Sequence, residues 1–386
     1  MRVIHVITRL IVGGAQENTV ASVLGLRAKP GWDVTLVAGP ARGPEGSLEA
    51  LFAGRPGSLT MVPELVRPIQ PWNDCLAWHK LTRLFRARRP DIVHTHSGKA
   101  GILGRLAAAR ARVPLIVHTI HGPSFGCFQG GLANSAFRAA ERYAARVTSR
   151  FVVVAQAMQQ QYLAAGIGRP DQYTRILSGF GLEPFLRSAN DLQLRARLGL
   201  APDDVVIGKI ARLFKLKGHD DLLEIAPELV RRCPRVRFLL VGDGPWRGRL
   251  EARVRSLGLE RQVVFAGLVA PDAIAPLVGI MDLVVHLSLR EGLPRALPQA
   301  LAAARPVVAY DCDGAGEVCL ENETGFLVRP GDLAGLRDRL LRLATEPALR
   351  QRLGRRGQQF VRERFDVQRM VDDLQQLYLR LAGQLA

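Results

Sequence analysis

No stretch of this sequence approaches the roughly 20 consecutive apolar residues that a membrane-spanning helix requires. The opening, "MRVIHVITRLIVGGAQ", is interrupted at Gly13-Gly14 before the apolar core of a secretory leader can form, so a cytoplasmic protein is expected. Cysteine is scarce: Cys75, Cys127, Cys233, Cys312 and Cys319 are odd in number, scattered, and never spaced as CxxC. That excludes a disulfide framework and a thiolate zinc site, and points to reduced thiols. There is no heptad run and no low-complexity segment. Acidic residues are also few, 35 against 53 Lys and Arg, for a net charge of +18. Such an excess favours an anionic partner, either phosphates or an acidic membrane leaflet. Nucleic acid is not that partner, because no helix-turn-helix, zinc-finger or aromatic RNA-binding pattern accompanies the charge. A genome that prefers arginine produces the same excess with no partner at all. Residues 1–185 hold 22 basic and 10 acidic groups, so most of the excess lies in the first half.

What is present is the material of two globular domains: 386 residues, 48% hydrophobic and 23% charged. Short β-rich apolar runs alternate with amphipathic stretches, the βαβ pattern of a parallel sheet. The first half has "VIHVIT" (3–8), "DVTLVA" (33–38), "DIVHT" (91–95), "LIVHT" (115–119), "RFVVVA" (150–155) and "YTRIL" (173–177), with helical patterns at 77–89 and 99–112. "SGFGLEPF" (178–185) breaks the rhythm as a linker would. The pattern then restarts with "DVVIGKIA" (204–211), "VRFLLVG" (236–242), "QVVFAG" (262–267), "DLVVHLS" (282–288) and "PVVAY" (306–310). Both halves open with a strand, a loop and a glycine at a helix start. Two doubly wound sheets place ligands at the carboxyl ends of their strands.

Four loops carry the chemistry. Gly13-Gly14 follows the first strand and precedes a helix beginning near Ala15, where backbone amides can approach an anion. A tight turn without a ligand uses the same residues, and the spacing is not the GxGxxG of a dinucleotide oxidoreductase. "ARLFKLKGHDDLL" puts Arg212, Lys215 and Lys217 after a strand and ahead of Gly218 at a helix start, a set that suits a diphosphate. In "VGDGPWRGRL", an ordinary Gly-Pro turn, Gly242 and Gly244 leave room for a base or ribose. "SLREGLPRALPQALAAARP" sets Glu291-Gly292 before a helix expected from Pro294 at its first position, with the amide of Arg295 free to face a ligand. Gln299 then falls on the same face as Glu291, two turns later. A helix-end carboxylate worth about 0.3–1 kcal/mol accounts for Glu291 equally well. Histidines end two strands, His94 and His96 in "HTHSGK" and His118 and His121 in "HTIHGP". His94 and His118 are expected in the core, His96 and His121 at the rim. With no carboxylate nearby in sequence, no metal site is expected.

In order, "GGAQ", "PDIVHTHSGKAG", His121-Gly122, Arg212, Lys217-Gly218, "VGDGP" and the S-x-x-E-G of Ser288 to Gly292 resemble the retaining glycosyltransferases of family 4 over nearly the whole chain. The resemblance implies the GT-B fold: two Rossmann-like doubly wound parallel-sheet domains facing across a cleft. Residues 1–180 would bind the acceptor, 181–365 the nucleotide-sugar, and a helix in 366–386 would cross back to the first domain. It implies transfer from a nucleoside-diphosphate sugar, most commonly a UDP-sugar, with retention. The acceptor would be a hydroxyl of a glycan or lipid-linked molecule in cell-surface polysaccharide or glycolipid assembly, and no metal or other cofactor is expected. Carried over by position, Arg212 and Lys217 hold the departing diphosphate, which Gly13 and Gly14 also contact. Glu291 meets the donor sugar's hydroxyls, and His121 lies beside the sugar and reacting centre. Gly242, Gly244, Gly292, Leu293 and Arg295 line the donor, while His96 and Lys99 fall on the acceptor side.

One position departs from the pattern: Gln299 stands where the family has a second Glu, on the ribose hydroxyls. Its amide still accepts and donates, but charge assistance worth about 1 kcal/mol is lost. The resemblance also gives the basic first half a use. Lys80, Arg83, Arg86, Arg88 and Arg89 would hold the enzyme peripherally at the anionic inner face of the cell membrane. A sugar-nucleotide epimerase or hydrolase on the same fold, or a non-catalytic sugar-nucleotide-binding protein, are the alternatives.

Overall fold

The structure, a computed structural model, describes residues 1–41, 46–126 and 128–384; Cys127 lies outside the described residues. The chain divides into two compact units, Met1–Phe180 with Val367–Ala386, and Gly181–Asp366. In the first, the apolar runs become seven parallel strands: β1 (Arg2–Ile7), β2 (Asp33–Ala38), β3 (Leu59–Met61), β4 (Ile92–His96), β5 (Leu115–Ile120), β6 (Arg150–Val153) and β7 (Tyr173–Arg175). Their order is β3-β2-β1-β4-β5-β6-β7, which reverses direction between β1 and β4. β4 and β5 are buried at every position, so the histidines and threonines at their carboxyl ends are enclosed along with the apolar residues that open them.

The pleat divides the first core in two. Val3, Ile7, Ile92, Leu115 and Val117 pack with the helix Gly14–Arg27 and with Met370, Leu374, Leu377 and Tyr378 of the helix Val367–Gly383. Ile4, Val6, Val93 and Ile116 pack on the other face with the helices Pro71–Arg88 and Gly98–Arg110. The last helix is tied down further by Lys29 Nζ on Asp372 Oδ1 at 2.5 Å and Asn18 Nδ2 on Met370 Sδ at 2.9 Å.

The second unit has six parallel strands: β8 (Val205–Ile210), β9 (Val236–Val241), β10 (Val263–Gly267), β11 (Leu283–His286), β12 (Val307–Tyr310) and β13 (Gly325–Val328). Their order, β10-β9-β8-β11-β12-β13, reverses between β8 and β11. The doubly wound architecture expected from the alternation is what forms in both units. Two edge strands were not anticipated. β3 is three residues long with no fully buried position, and β13 is four residues opening on a glycine; neither has the length of apolar run that marks a strand. Among the described residues no helix is long and apolar enough to cross a membrane.

Candidate active site

In the second unit the loops following β8 and β11 are stitched together, the Leu289 N–H donating to the Leu216 carbonyl at 2.9 Å. Gly218, at φ 63°, caps the helix His219–Arg232. A Cβ on it would lie 2.3 Å from the Leu287 carbonyl oxygen, so only glycine lets the loops come this close. The approach brings Lys217 and Glu291 together. Lys217 Nζ donates to Glu291 Oε1 at 2.5 Å and to Ser288 Oγ at 3.2 Å. Glu291 is held from behind, its N–H donating to Asp313 Oδ2 at 2.6 Å and its carboxylate lying 3.4 Å from His286 Nε2.

Electrostatics at this place are strongly perturbed. Burial alone would raise the Glu291 carboxyl, but the His286 bond and the Lys217 charge outweigh it and hold the group well below the usual carboxylate range. Lys209, on β8 and 1% exposed, is pushed down to about 7 by burial and the neighbouring Lys217, against the pull of Asp221 and Glu291. His219 is lowered to about 3 by burial and by the Lys209 and Lys217 charges, and burial lowers His286 as well. Both imidazoles are therefore neutral at pH 7. A formed ion pair, a second ammonium near half-charge and two neutral imidazoles converge beside a helix amino end. An arriving anion can take Lys217 as its partner, which frees the Glu291 carboxylate to accept hydroxyl hydrogen bonds.

Other expected residues are placed differently. Arg212 is exposed on the same loop with its guanidinium 5.9 Å over the Phe214 ring. The helix after Glu291 runs Ala296–Ala302, with Arg295 as its cap. It does not start at Pro294, so Glu291 and Gln299 do not share a helix face. The intervening residues turn instead, the Gly292 carbonyl accepting from the Gly314 N–H at 3.1 Å. Leu293 is 7% exposed and sends its side chain into the interior; Gln299 is half-buried on the helix. At Gly242 and Gly244 a Cβ would meet the carbonyls of Ala211 at 2.2 Å and Leu213 at 2.5 Å, so close backbone packing requires glycine at both positions, and both stay half-buried. Gly13 caps the helix that opens at Gly14 in extended conformation, φ 172°, which any residue can adopt.

In the first unit His96 is 1% exposed, not at the rim, because the helix Val367–Gly383 covers its face of the sheet. It joins His121, its Nδ1 lying 2.9 Å from His121 Nε2, and also His5, its Nε2 lying 2.9 Å from His5 Nδ1. Tyr378 Oη bonds His94 Nδ1 and lies 3.3 Å from His5 Nε2, while His94 Nε2 lies 2.6 Å from Thr119 Oγ1. Ligand-type nitrogens of His5, His94 and His96 fall within 4.8 Å of one another. A nitrogen pair at 2.9 Å is too close to straddle a zinc ion at about 2.0–2.1 Å from each in tetrahedral geometry, and shares a proton instead. Lys99 is paired with Asp74 and the Pro68 carbonyl. It thus braces one wall of a cavity of about 430 Å³ lined by Arg9, Glu64, Arg67, Pro68, Gln70 and Asn73.

His5, Lys209 and His286 were missed, although each left a signal: a polar residue inside an otherwise apolar strand. Tyr378 and Asp313 left none.

Residues 13–179 match the family model of a glycosyl transferase 4-like domain, and residues 190–360 that of the glycosyl transferases group 1. The chain is 27% identical over 322 residues to the UDP-Gal:alpha-D-GlcNAc-diphosphoundecaprenol alpha-1,3-galactosyltransferase of Escherichia coli, covering 82% of each. It is 24% identical over 319 residues to the capsular polysaccharide biosynthesis glycosyltransferase CapM of Staphylococcus aureus, covering 81% of this chain and 82% of that one. Among solved structures, Anabaena HepE in complex with UDP and glucose shares the fold with a TM-score of 0.83 at 24% identity, covering 98% of this chain and 99% of that one.

Proposed function

The chain belongs to the family-4 glycosyltransferases, and on that premise we propose that it moves a hexose from a UDP-sugar to a hydroxyl of a lipid-linked glycan, with retention, in the assembly of a polysaccharide or glycoconjugate. The observation that carries this reading is the Lys217–Glu291 pair at the helix amino end beside β8 and β11. The E. coli relative's name specifies a UDP-sugar donor and a diphosphoundecaprenol-linked acceptor, and the solved neighbour holds UDP and glucose.

In this mechanism the donor diphosphate takes Lys217 from Glu291, and Arg212 supplies a second cation. Glu291 then accepts from the sugar hydroxyls, Gln299 meets the ribose, and His121 lies beside the sugar. As the anomeric C–O bond breaks, the leaving diphosphate oxygen carries the charge and takes the acceptor hydroxyl's proton, while the acceptor oxygen bonds the anomeric carbon on the same face. Catalysis rests on stabilising that charge, where one positioned donor is worth about 10²–10³ in rate. No metal or other cofactor takes part. Arg9 and Arg67 in the first-unit cavity suit an anionic acceptor group.

Membrane attachment is part of the proposal. Ile69 and Trp72 are 70% and 76% exposed at the start of the helix Pro71–Arg88, and Arg83, Arg86 and Arg89 are exposed along or just beyond it. Each adds about 1 kcal/mol near an anionic leaflet. Lys80 is paired with Glu64, and Arg88 is turned to Thr35 and Thr60, so they contribute less. Equal sedimentation with neutral and anionic liposomes would remove this element.

The deciding experiment is thermal stabilisation by UDP, GDP, ADP and CMP, for wild type and Lys217→Ala. A nucleotide at 100 times its dissociation constant adds about 2.7 kcal/mol. Stabilisation by UDP that the variant loses supports the reading; no response to any nucleotide sinks it.

A further inference from the structure

Six side chains of the first unit form one unbroken hydrogen-bonded row: Thr119, His94, Tyr378, His5, His96 and His121. Burial lowers His5 to about 3 and His121 to about 4, and pushes His94 and His96 well down, so all four imidazoles are neutral at pH 7. A neutral imidazole has one N–H and one lone pair. The links run Thr119–Nε2 His94 Nδ1–Tyr378–Nε2 His5 Nδ1–Nε2 His96 Nδ1–Nε2 His121. Three proton arrangements satisfy every link: all four imidazoles with the proton on Nδ1, all four with it on Nε2, or His94 on Nδ1 with the other three on Nε2, Tyr378 then accepting from both neighbours. The third strands the buried Tyr378 proton without an acceptor; any other mixture sets two donors or two lone pairs against each other.

Thr119 decides between the first two. It is 4% exposed, and the one hydrogen bond its hydroxyl makes among the described residues is to His94 Nε2. With the imidazoles protonated on Nδ1, the Thr119 hydroxyl donates into the row and every proton in it is placed. With the imidazoles protonated on Nε2, Thr119 accepts and its own buried proton faces no acceptor, the costlier failure for a buried polar group. Isolated histidine prefers Nε2–H, so the row selects against the default.

We propose that this row is a tautomer lock: Thr119 donates into it, all four imidazoles are held as Nδ1–H, and His121 presents an N–H and no lone pair outside the row. Resting on the reading of the chain as a glycosyltransferase with His121 beside the donor sugar, the lock makes His121 a hydrogen-bond donor to a sugar oxygen and removes it from the candidate bases. Thr119, His94, Tyr378, His5 and His96 are positioning residues that act through it.

The test is long-range ¹H–¹⁵N correlation of the full chain labelled with [¹⁵N]histidine, at pH 7.5, with His121 identified by its loss in His121→Gln. The expected result is Nδ1–H at His5, His94, His96 and His121. Thr119→Val, equal in shape but without the hydroxyl, is expected to lower the Nδ1–H to Nε2–H ratio at His121 by about tenfold or more, and Thr119→Ser to keep it. Tyr378→Phe, which cuts the row in the middle, should do the same as Thr119→Val, with unchanged His219 and His286 signals reporting an intact second unit. An Nε2–H His121 in the wild type overturns the lock, as does a folded Thr119→Val protein with an unchanged ratio. Zinc binding that abolishes the His5–His96 N–H signal also overturns it. In turnover with UDP-sugars, Thr119→Val should lower kcat about tenfold with donor KM little changed, and Thr119→Ser should restore it. An altered tautomer with unaltered kcat removes the positioning role. If no nucleotide-sugar is turned over at all, the assigned reaction fails while the tautomer ratios still decide the lock.

Discussion

The two units bury polar groups at equivalent places, the strands where sheet order reverses, and treat their charge in opposite ways. Around β1, β4 and β5 the first unit encloses His5, His94 and His96 as neutral groups, His5 bonded to His96 and both His5 and His94 to Tyr378. At β8 and β11 the second keeps a charged Lys217–Glu291 pair with Lys209 behind it. Histidine sheds its charge near neutrality and so can be roofed over at small cost. Lysine and glutamate cannot do so as a pair, and theirs is left 22% exposed on each side, where an incoming anion can reach it. The same scaffold thus yields a rigid neutral brace in one unit and an exchangeable ion pair in the other.

The largest expected break in that comparison is by pH. The four histidines of the row have folded values below the ordinary value of about 6.5. The unfolded chain therefore binds more protons below that pH, and stability falls as pH drops through about 6.5 towards the folded values. From pH 7.5 to 5.5 these four histidines should cost the first unit about 5 kcal/mol in urea melts followed by Trp32 fluorescence. A transition insensitive to pH over this window would show that the row is not buried neutral.

Next is Lys217→Met, which strips the second unit of its exchangeable cation. Initial rates should fall about 10²–10³-fold, and a loss of under tenfold would show that the pair is structural. The third concerns Lys209, whose folded value of about 7 lies below its ordinary 10.5. The unfolded chain binds the extra proton between these values, so stability should rise with pH, by about 2 kcal/mol from pH 7 to 9. Lys209→Met should flatten that rise and be the more stable protein at pH 7; an unchanged slope would place the titration elsewhere. The smallest sharpens the donor contact. Gln299→Glu restores charge assistance and should tighten UDP about fivefold by calorimetry, whereas weaker binding would mean that residue 299 does not face the ribose.

Most of the fold was legible because buried parallel strands must be apolar on both faces, and eleven runs in the sequence had that character. The edges were not, since β3 and β13 are too short to stand out. Site residues divide the same way. Lys217 and Glu291 were legible because a loop cation, a helix-start glycine and an S-x-x-E-G run lie close in sequence to the strands that position them. Pro294 misled: its fixed φ suits a first helical position, but the Asp313 bond holds the Glu291 amide and the chain turns before the helix begins. In "HTH" the two-residue period puts both histidines on one face, yet nothing local says whether that face is covered. What covers it is Tyr378, 284 residues beyond His94.

That distance has a consequence for how the molecule is made. The second unit is one continuous segment, Gly181–Asp366, and holds its whole core within itself. The first unit lacks Met370, Leu374, Leu377 and Tyr378 until the far end of the described chain has been synthesised. On the ribosome, the half that emerges first is therefore the half that finishes last. Meanwhile an apolar sheet face with its imidazole row stands open, a surface for chaperones and proteases to inspect.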